Sequence, residues 1–120
     1  AVSPDGNLVA YFFLDHDKSF KIAVMRAADK EIIKTFKYCD GNSFALRLAW
    51  SSDSKTLNYV ADSDGRNFLW QQSLDEEKPR LIADLGGEEI KYLAISPADN
   101  TYGFVRGKWT FDVALLSGLK

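Results

Sequence analysis

A chain of 120 residues, 46% apolar and 27% charged, has the composition of a globular domain with its own core rather than of a disordered segment. Fifteen basic against seventeen acidic residues leave a net charge of −2 with no basic run, so nucleic acid has no clustered cationic surface to bind. The longest apolar stretch, Leu8 to Leu14, is far too short for a membrane-spanning helix, which predicts no membrane contact by this segment, and the lone Cys39 excludes an internal disulfide framework.

Along the chain, a turn signal at Ser3-Pro4-Asp5-Gly6 follows a strand remnant, Ala1-Val2. Pro fixes φ at the second turn position, Asp bonds its own backbone, and Gly accepts positive φ. A strand is predicted over Leu8 to Leu14, then a loop holding Asp15-His16-Asp17, a third strand over Phe20 to Arg26 and a fourth over Glu31 to Phe36. The same order returns with Phe44 to Trp50, the worn turn Ser51-Ser52-Asp53-Ser54, Thr56 to Ala61, Asn67 to Leu74 and Arg80 to Asp84. It starts again with Ile90 to Ile95, Ser96-Pro97-Ala98-Asp99, Thr101 to Arg106 and Phe111 to Ser117, and the chain stops without a fourth strand. The offset from Ser3 to Ser51 is 48 and from Ser51 to Ser96 it is 45, a period typical of propeller blades or helical arrays. Short β-branched and aromatic runs between turn residues, with no helical apolar stripe, make the repeats β.

Superposing the second strands pairs Val9 with Leu57 and Tyr102, Ala10 with Asn58 and Gly103, and Tyr11 with Tyr59 and Phe104. Large and small residues alternate as a pleated strand requires, and an aromatic at the third site suits sheets packed face to face. The spacing of 45 continues through Asn67 and Asp112, which predicts a constant register into the third strand, and the loop after the first copy's second strand is predicted two residues longer than its counterparts.

The stretches Ser3-Pro4-Asp5-Gly6-Asn7-Leu8-Val9-Ala10-Tyr11, Leu48-Ala49-Trp50-Ser51-Ser52-Asp53-Ser54 and Leu93-Ala94-Ile95-Ser96-Pro97 resemble TolB-like, WD-repeat-like β-propeller repeats. In that family an (A/W)-S-P-D-G-x-x-(I/L)-A-(F/Y) stretch joins the first two strands of each blade. The resemblance covers nearly the whole chain. Ser54 and Asp99 depart from it where the family prefers Gly, and Ala98 replaces the turn Asp. It implies an all-β propeller segment of about three four-stranded antiparallel blades, incomplete at both ends, with repeats at about 1–43, 44–88 and 89–120. Three blades do not close a ring, for which about 4–8 are typical. The chain is therefore expected to be the C-terminal part of a larger propeller, or to self-associate to complete one.

Chemistry-bearing residues are sparse. Asp15-His16-Asp17 brings the single His among carboxylates, but neighbours on one loop do not orient an imidazole as a triad does, and the stretch reads as a solvated loop with a pH-sensitive contact at His16 as the functional alternative. Asp62-Ser63-Asp64-Gly65-Arg66-Asn67 has oxygens at alternate positions like a calcium loop, yet Arg66 and Ser73 occupy ligand positions, so a hairpin is expected and no metal. Gly86-Gly87-Glu88-Glu89 lacks the Gly-Lys-Ser/Thr ending of a phosphate loop and reads as a blade connection. Trp50 and Trp70 read as packing residues. Trp109, in the loop Arg106-Gly107-Lys108-Trp109-Thr110 beside two cations, reads as an exposed contact site with Arg106 and Lys108.

These readings predict a non-catalytic protein- or peptide-binding or scaffolding module, with no cofactor. The resemblance implies a bacterial origin and a sensor or regulatory protein, periplasmic or cytoplasmic, with kinase or winged-helix domains attached. An accessory propeller gating a prolyl-oligopeptidase-type peptidase is the alternative, marked by a Gly-x-Ser-x-Gly in the same gene.

Overall fold

A computed structural model describes residues 1–37, 48–96, 98–99, 101–106 and 112–116. Among these every regular element is a strand: β1 (Leu8–Leu14), β2 (Phe20–Arg26), β3 (Ile32–Lys37), β4 (Leu48–Trp50), β5 (Thr56–Ser63), β6 (Arg66–Ser73), β7 (Arg80–Gly86), β8 (Ile90–Ile95), β9 (Tyr102–Arg106) and β10 (Asp112–Leu116). They form three antiparallel meanders, β1-β2-β3, β4-β5-β6-β7 and β8-β9-β10. The three sheets are blades 1, 2 and 3 of the predicted repeat. Val2 bridges to Val9 on the side of β1 that β4 and β8 occupy in the other two sheets. Cys39, Lys108 and Trp109 lie outside the described residues.

The period-2 alternation of β5 fixes how the blades stack. Leu57, Tyr59 and Ala61 point to one side and share a core with Ala10, Ile22, Val24 and Phe36 of blade 1. Val60 points to the other and shares a core with Leu69, Leu85, Ile90, Leu93, Tyr102 and Phe104. One strand thus serves two seams, its successive side chains buried on opposite faces. The aromatic predicted to sit between sheets does so twice, with Tyr59 1% and Phe104 4% exposed. Trp50 packs into the blade 1–2 core, and its Nε1–H donates to the Ala1 carbonyl at 3.0 Å, which also accepts from the Ala10 N–H. Truncating it to Ala would cost about 3–5 kcal/mol.

The marker turns are built alike. Ser3, Ser51 and Ser96 each donate a backbone N–H to the carbonyl five residues on, at 2.8–2.9 Å. Asp5 Oδ1 accepts from the Asn7 N–H and the Ser3 hydroxyl, and Asp53 Oδ1 accepts from the Lys55 N–H. With Ala98 in the third copy, the same task passes one residue on, and Asp99 Oδ1 accepts from the Thr101 N–H at 3.1 Å. Ser54 takes the positive φ of Gly6, 58° against 77°, and its hydroxyl accepts the Asp5 N–H across the seam at 3.1 Å. The departure from Gly thereby gains a blade-to-blade hydrogen bond.

The third strands depart from the constant spacing. Asn58 pairs with Gln71, whereas its equivalent Gly103 pairs with Leu115 rather than Leu116. Counted between equivalent paired residues, six residues separate Ala61 from Phe68, five separate Arg106 from Asp112 and seven separate Phe13 from Lys21, so the first copy is two residues longer than the third but only one longer than the second. A one-residue slip exchanges the faces of a strand, and an all-apolar run, Val113-Ala114-Leu115-Leu116, carries no alternation from which the slip could be read.

A polar group lies inside the blade 2–3 seam. Asn58, 0% exposed, accepts at Oδ1 from the Tyr102 hydroxyl at 3.0 Å and from Gln71 Nε2 at 3.3 Å. Its Nδ2 donates to Ser51 Oγ and to the Ala49 carbonyl. Burial pushes the Tyr102 phenol above its ordinary value. The neutral phenol is the form the fold prefers, so its contribution is complete below about pH 10 and is lost as pH rises through the folded value. Denaturant midpoints should hold to pH 9 and fall by pH 11, and Tyr102→Phe should remove part of that fall. Lys30 has φ 60° and an exposed side chain. Lys30→Gly should stabilise by roughly 0.5–1 kcal/mol in urea titrations, while Ser54→Gly should gain less because it removes the Asp5 acceptor.

Candidate functional site

The Asp5–Ser54 bond places the marker turns of blades 1 and 2 side by side, and the Asn58–Tyr102 bond aligns the starts of β5 and β9. The ends of β1, β5 and β9 consequently share the opposite rim. That rim carries the Asp15–Ser19 turn, the Asp64-Gly65 turn, Arg106 at the end of β9, and the blade connection after Gly86. His16 and Arg106, both predicted contact residues, thus belong to hairpins at equivalent places. Lys108 and Trp109 follow Arg106 in sequence.

The three hairpin sites differ in how they are held. In blade 1 a backbone turn closes from the Lys18 N–H to the Asp15 carbonyl, with Lys18 at φ 64°. Asp15 pairs with Lys21 and also accepts the His16 N–H, while Asp17 accepts the Ser19 hydroxyl and N–H. The Lys21 ammonium holds the Asp15 carboxyl below the usual range, and the Ser19 bonds do so for Asp17. His16 is exposed, and the carboxylates beside it are engaged by the turn: Asp15 by Lys21 and the His16 N–H, Asp17 by Ser19.

In blade 2 the predicted hairpin forms, with Ser63 paired to Arg66 around Asp64 (φ 50°) and Gly65 (φ 76°). Two positive φ values in a two-residue loop match the twist of paired strands. Arg66 reaches Asp84 on β7 at 3.0 Å, and Asn67 Nδ2 donates to the carbonyls of Gly86 and Glu88. Asn67 therefore ties the hairpin to the blade connection, where Gly87 lies against the Gly65 carbonyl. The stretch suspected of calcium-loop character is used as turn and anchor. Among the described residues no three His, Cys, Asp or Glu side chains converge.

Sequence reading missed the side chains that brace this rim. Lys21 and Asp84 fall within predicted strands, Arg66 in the predicted hairpin and Asn67 where that hairpin meets the next strand, with nothing in the sequence to say what their side chains reach. Their signal was a polar residue at an inward or cross-strand position next to a turn. Several carboxyls are held low: Asp15 by Lys21, Asp17 and Asp5 by serine hydroxyls, Asp84 by the Gly86 N–H and Arg66. Groups with depressed folded values stabilise above the ordinary carboxylate pKa, and that contribution is lost as pH falls through the folded value. Melting temperature should hold from pH 7 to 5 and fall below about pH 4, and Lys21→Met should lower the melting temperature at pH 7 more than at pH 3.

No family model matches the chain, and no curated protein matches it by sequence. Solved structures do match by fold. TolB from Acinetobacter baumannii superposes with a TM-score of 0.74 at 17% identity over 98% of this chain and 28% of that one. A protein described as a TolB of Agrobacterium tumefaciens gives 0.75 at 19% identity, over 98% of this chain and 44% of that one. The chain spans less than half the length of either structure, and its fold is that of a segment of a TolB-like β-propeller.

Proposed function

We propose that the chain is the C-terminal part of a bacterial TolB-like propeller in a larger sensor or regulatory protein, and that it binds a protein or peptide without catalysis. The contact surface is the hairpin rim, with His16, Arg106, Lys108 and Trp109 as contact residues. One observation carries this reading: the ends of β1, β5 and β9 lie on a single rim, opposite the marker turns. Loops on a rigid sheet scaffold are where binding residues concentrate. Turns closed by their own hydrogen bonds also lose little conformational freedom on association. The TolB likeness supports the scaffold, and the occupant of the rim is argued from its side chains.

Affinity capture with the wild-type protein, followed by quantitative proteomics, should identify partners whose recovery falls about tenfold with His16→Ala/Arg106→Ala and with Trp109→Ala, as for interface hot spots. Each variant should keep the wild-type melting temperature, and Lys30→Gly on the opposite rim should bind as wild type. Equal recovery by all variants would refute the rim as the contact surface. A large loss of stability in Trp109→Ala would make that residue part of the core.

A further inference from the structure

The two seams carry different residues at one equivalent pair of sites. The face each blade turns to its predecessor has Val9, Leu57 or Tyr102 there, and the face turned to its successor has Ala10, Asn58 or Gly103. In the blade 1–2 seam Ala10 and Leu57 share an apolar core. In the blade 2–3 seam Asn58 meets Tyr102. Every hydrogen-bonding valence of the Asn58 amide is filled: two donors to Ser51 Oγ and Ala49 O, two acceptances from Tyr102 and Gln71.

We propose that the Asn58 amide is a blade-order key, which accepts as the next blade a sheet that delivers a hydroxyl to this site and rejects one that does not. The alternative to be rejected is present on every copy of the chain. Blade 1 turns Val9, Tyr11 and Phe13 away from blade 2, and these are half-buried rather than covered, with the Tyr11 and Phe13 rings 6.4 Å apart. Were this face from a second copy to dock on blade 2, Val9 would stand in for Tyr102. Asn58 Oδ1 would then be sealed from water with only the longer Gln71 contact. In the converse error, Tyr102 against Ala10 would bury a hydroxyl with no side-chain acceptor at that site. A buried polar group that loses a partner disfavours either pairing by about tenfold, so one amide discriminates among pseudo-equivalent sheets by penalising the wrong one. An apolar pair such as Ala10 and Leu57 makes no such distinction.

The test separates order from stability. Asn58→Ala/Tyr102→Leu copies the Ala10/Leu57 pair and should recover much of the stability lost in either single variant, whose effects should be non-additive. Isotopically labelled and unlabelled copies, refolded together and examined by native mass spectrometry, should then form mixed oligomers several-fold more than wild type. Tyr102→Phe, which removes one oxygen and little packing, should raise mixing in the same direction. Ile22→Val in blade 1 gives the mixing that destabilisation alone produces. Additive single effects, or mixing no greater than in Ile22→Val for both key variants, would overturn the proposal.

Discussion

Everything in the molecule hangs on side chains of β5 being buried alternately on two faces. Leu57, Tyr59 and Ala61 go one way, Asn58 and Val60 the other, and each set meets a separate sheet. A strand with one solvated face could not do this, because its outward side chains would have to be polar. The demand explains why Val60 is as inaccessible as Leu57, both 0% exposed. It also explains why the marker turns, which set where each second strand begins, are held by so many hydrogen bonds. A turn lengthened by one residue would exchange the two faces and lose both seams together.

Much of this architecture could be read from residue order. β1, β2 and β8 occupy the predicted ranges, and Trp50 and Trp70 pack as expected. Turn chemistry was also legible, since Asp64-Gly65 allows few conformations other than a tight hairpin. The register of β10 was not, because four apolar residues in succession carry no parity. Nor was the purpose of Ser54 or Asn58. Ser54 stands where the first copy has Gly6, and Asn58 where the other copies have Ala10 and Gly103, and only the neighbouring blade shows what each side chain reaches across the seam. Of the four proposed contact residues, the sequence puts His16 in a loop and Arg106 at a strand end, but not the ends of β1 and β9 on one rim.

The marker rim and the hairpin rim are built on different physical terms. Marker turns bond to each other across a seam, so their geometry belongs to the stack. Hairpin turns are stabilised within their own blades, by Lys21 and Asp15 in one and by Arg66 and Asp84 in another, with Asn67 reaching only as far as the connection that leaves its blade. Changes on the hairpin rim therefore leave the stacking undisturbed, as a surface that varies with its partner requires. The Arg66–Asp84 pair is solvent-exposed and the Lys21–Asp15 pair only partly buried, so each is individually weak, and the backbone turns carry most of the local order.

The two seams also differ as chromophores. Trp50 and Trp70 both lie at the blade 1–2 core, and the Trp50 indole is held by a carbonyl of the same seam. The blade 2–3 seam has Tyr102 at its centre, with a phenol whose ionisation is suppressed by burial. Trp109 apart, indole emission reports whether the first two sheets are together, and phenolate absorbance reports the ionisation of Tyr102 among the tyrosines. An opening of one seam before the other would be written in two different colours, with no label added.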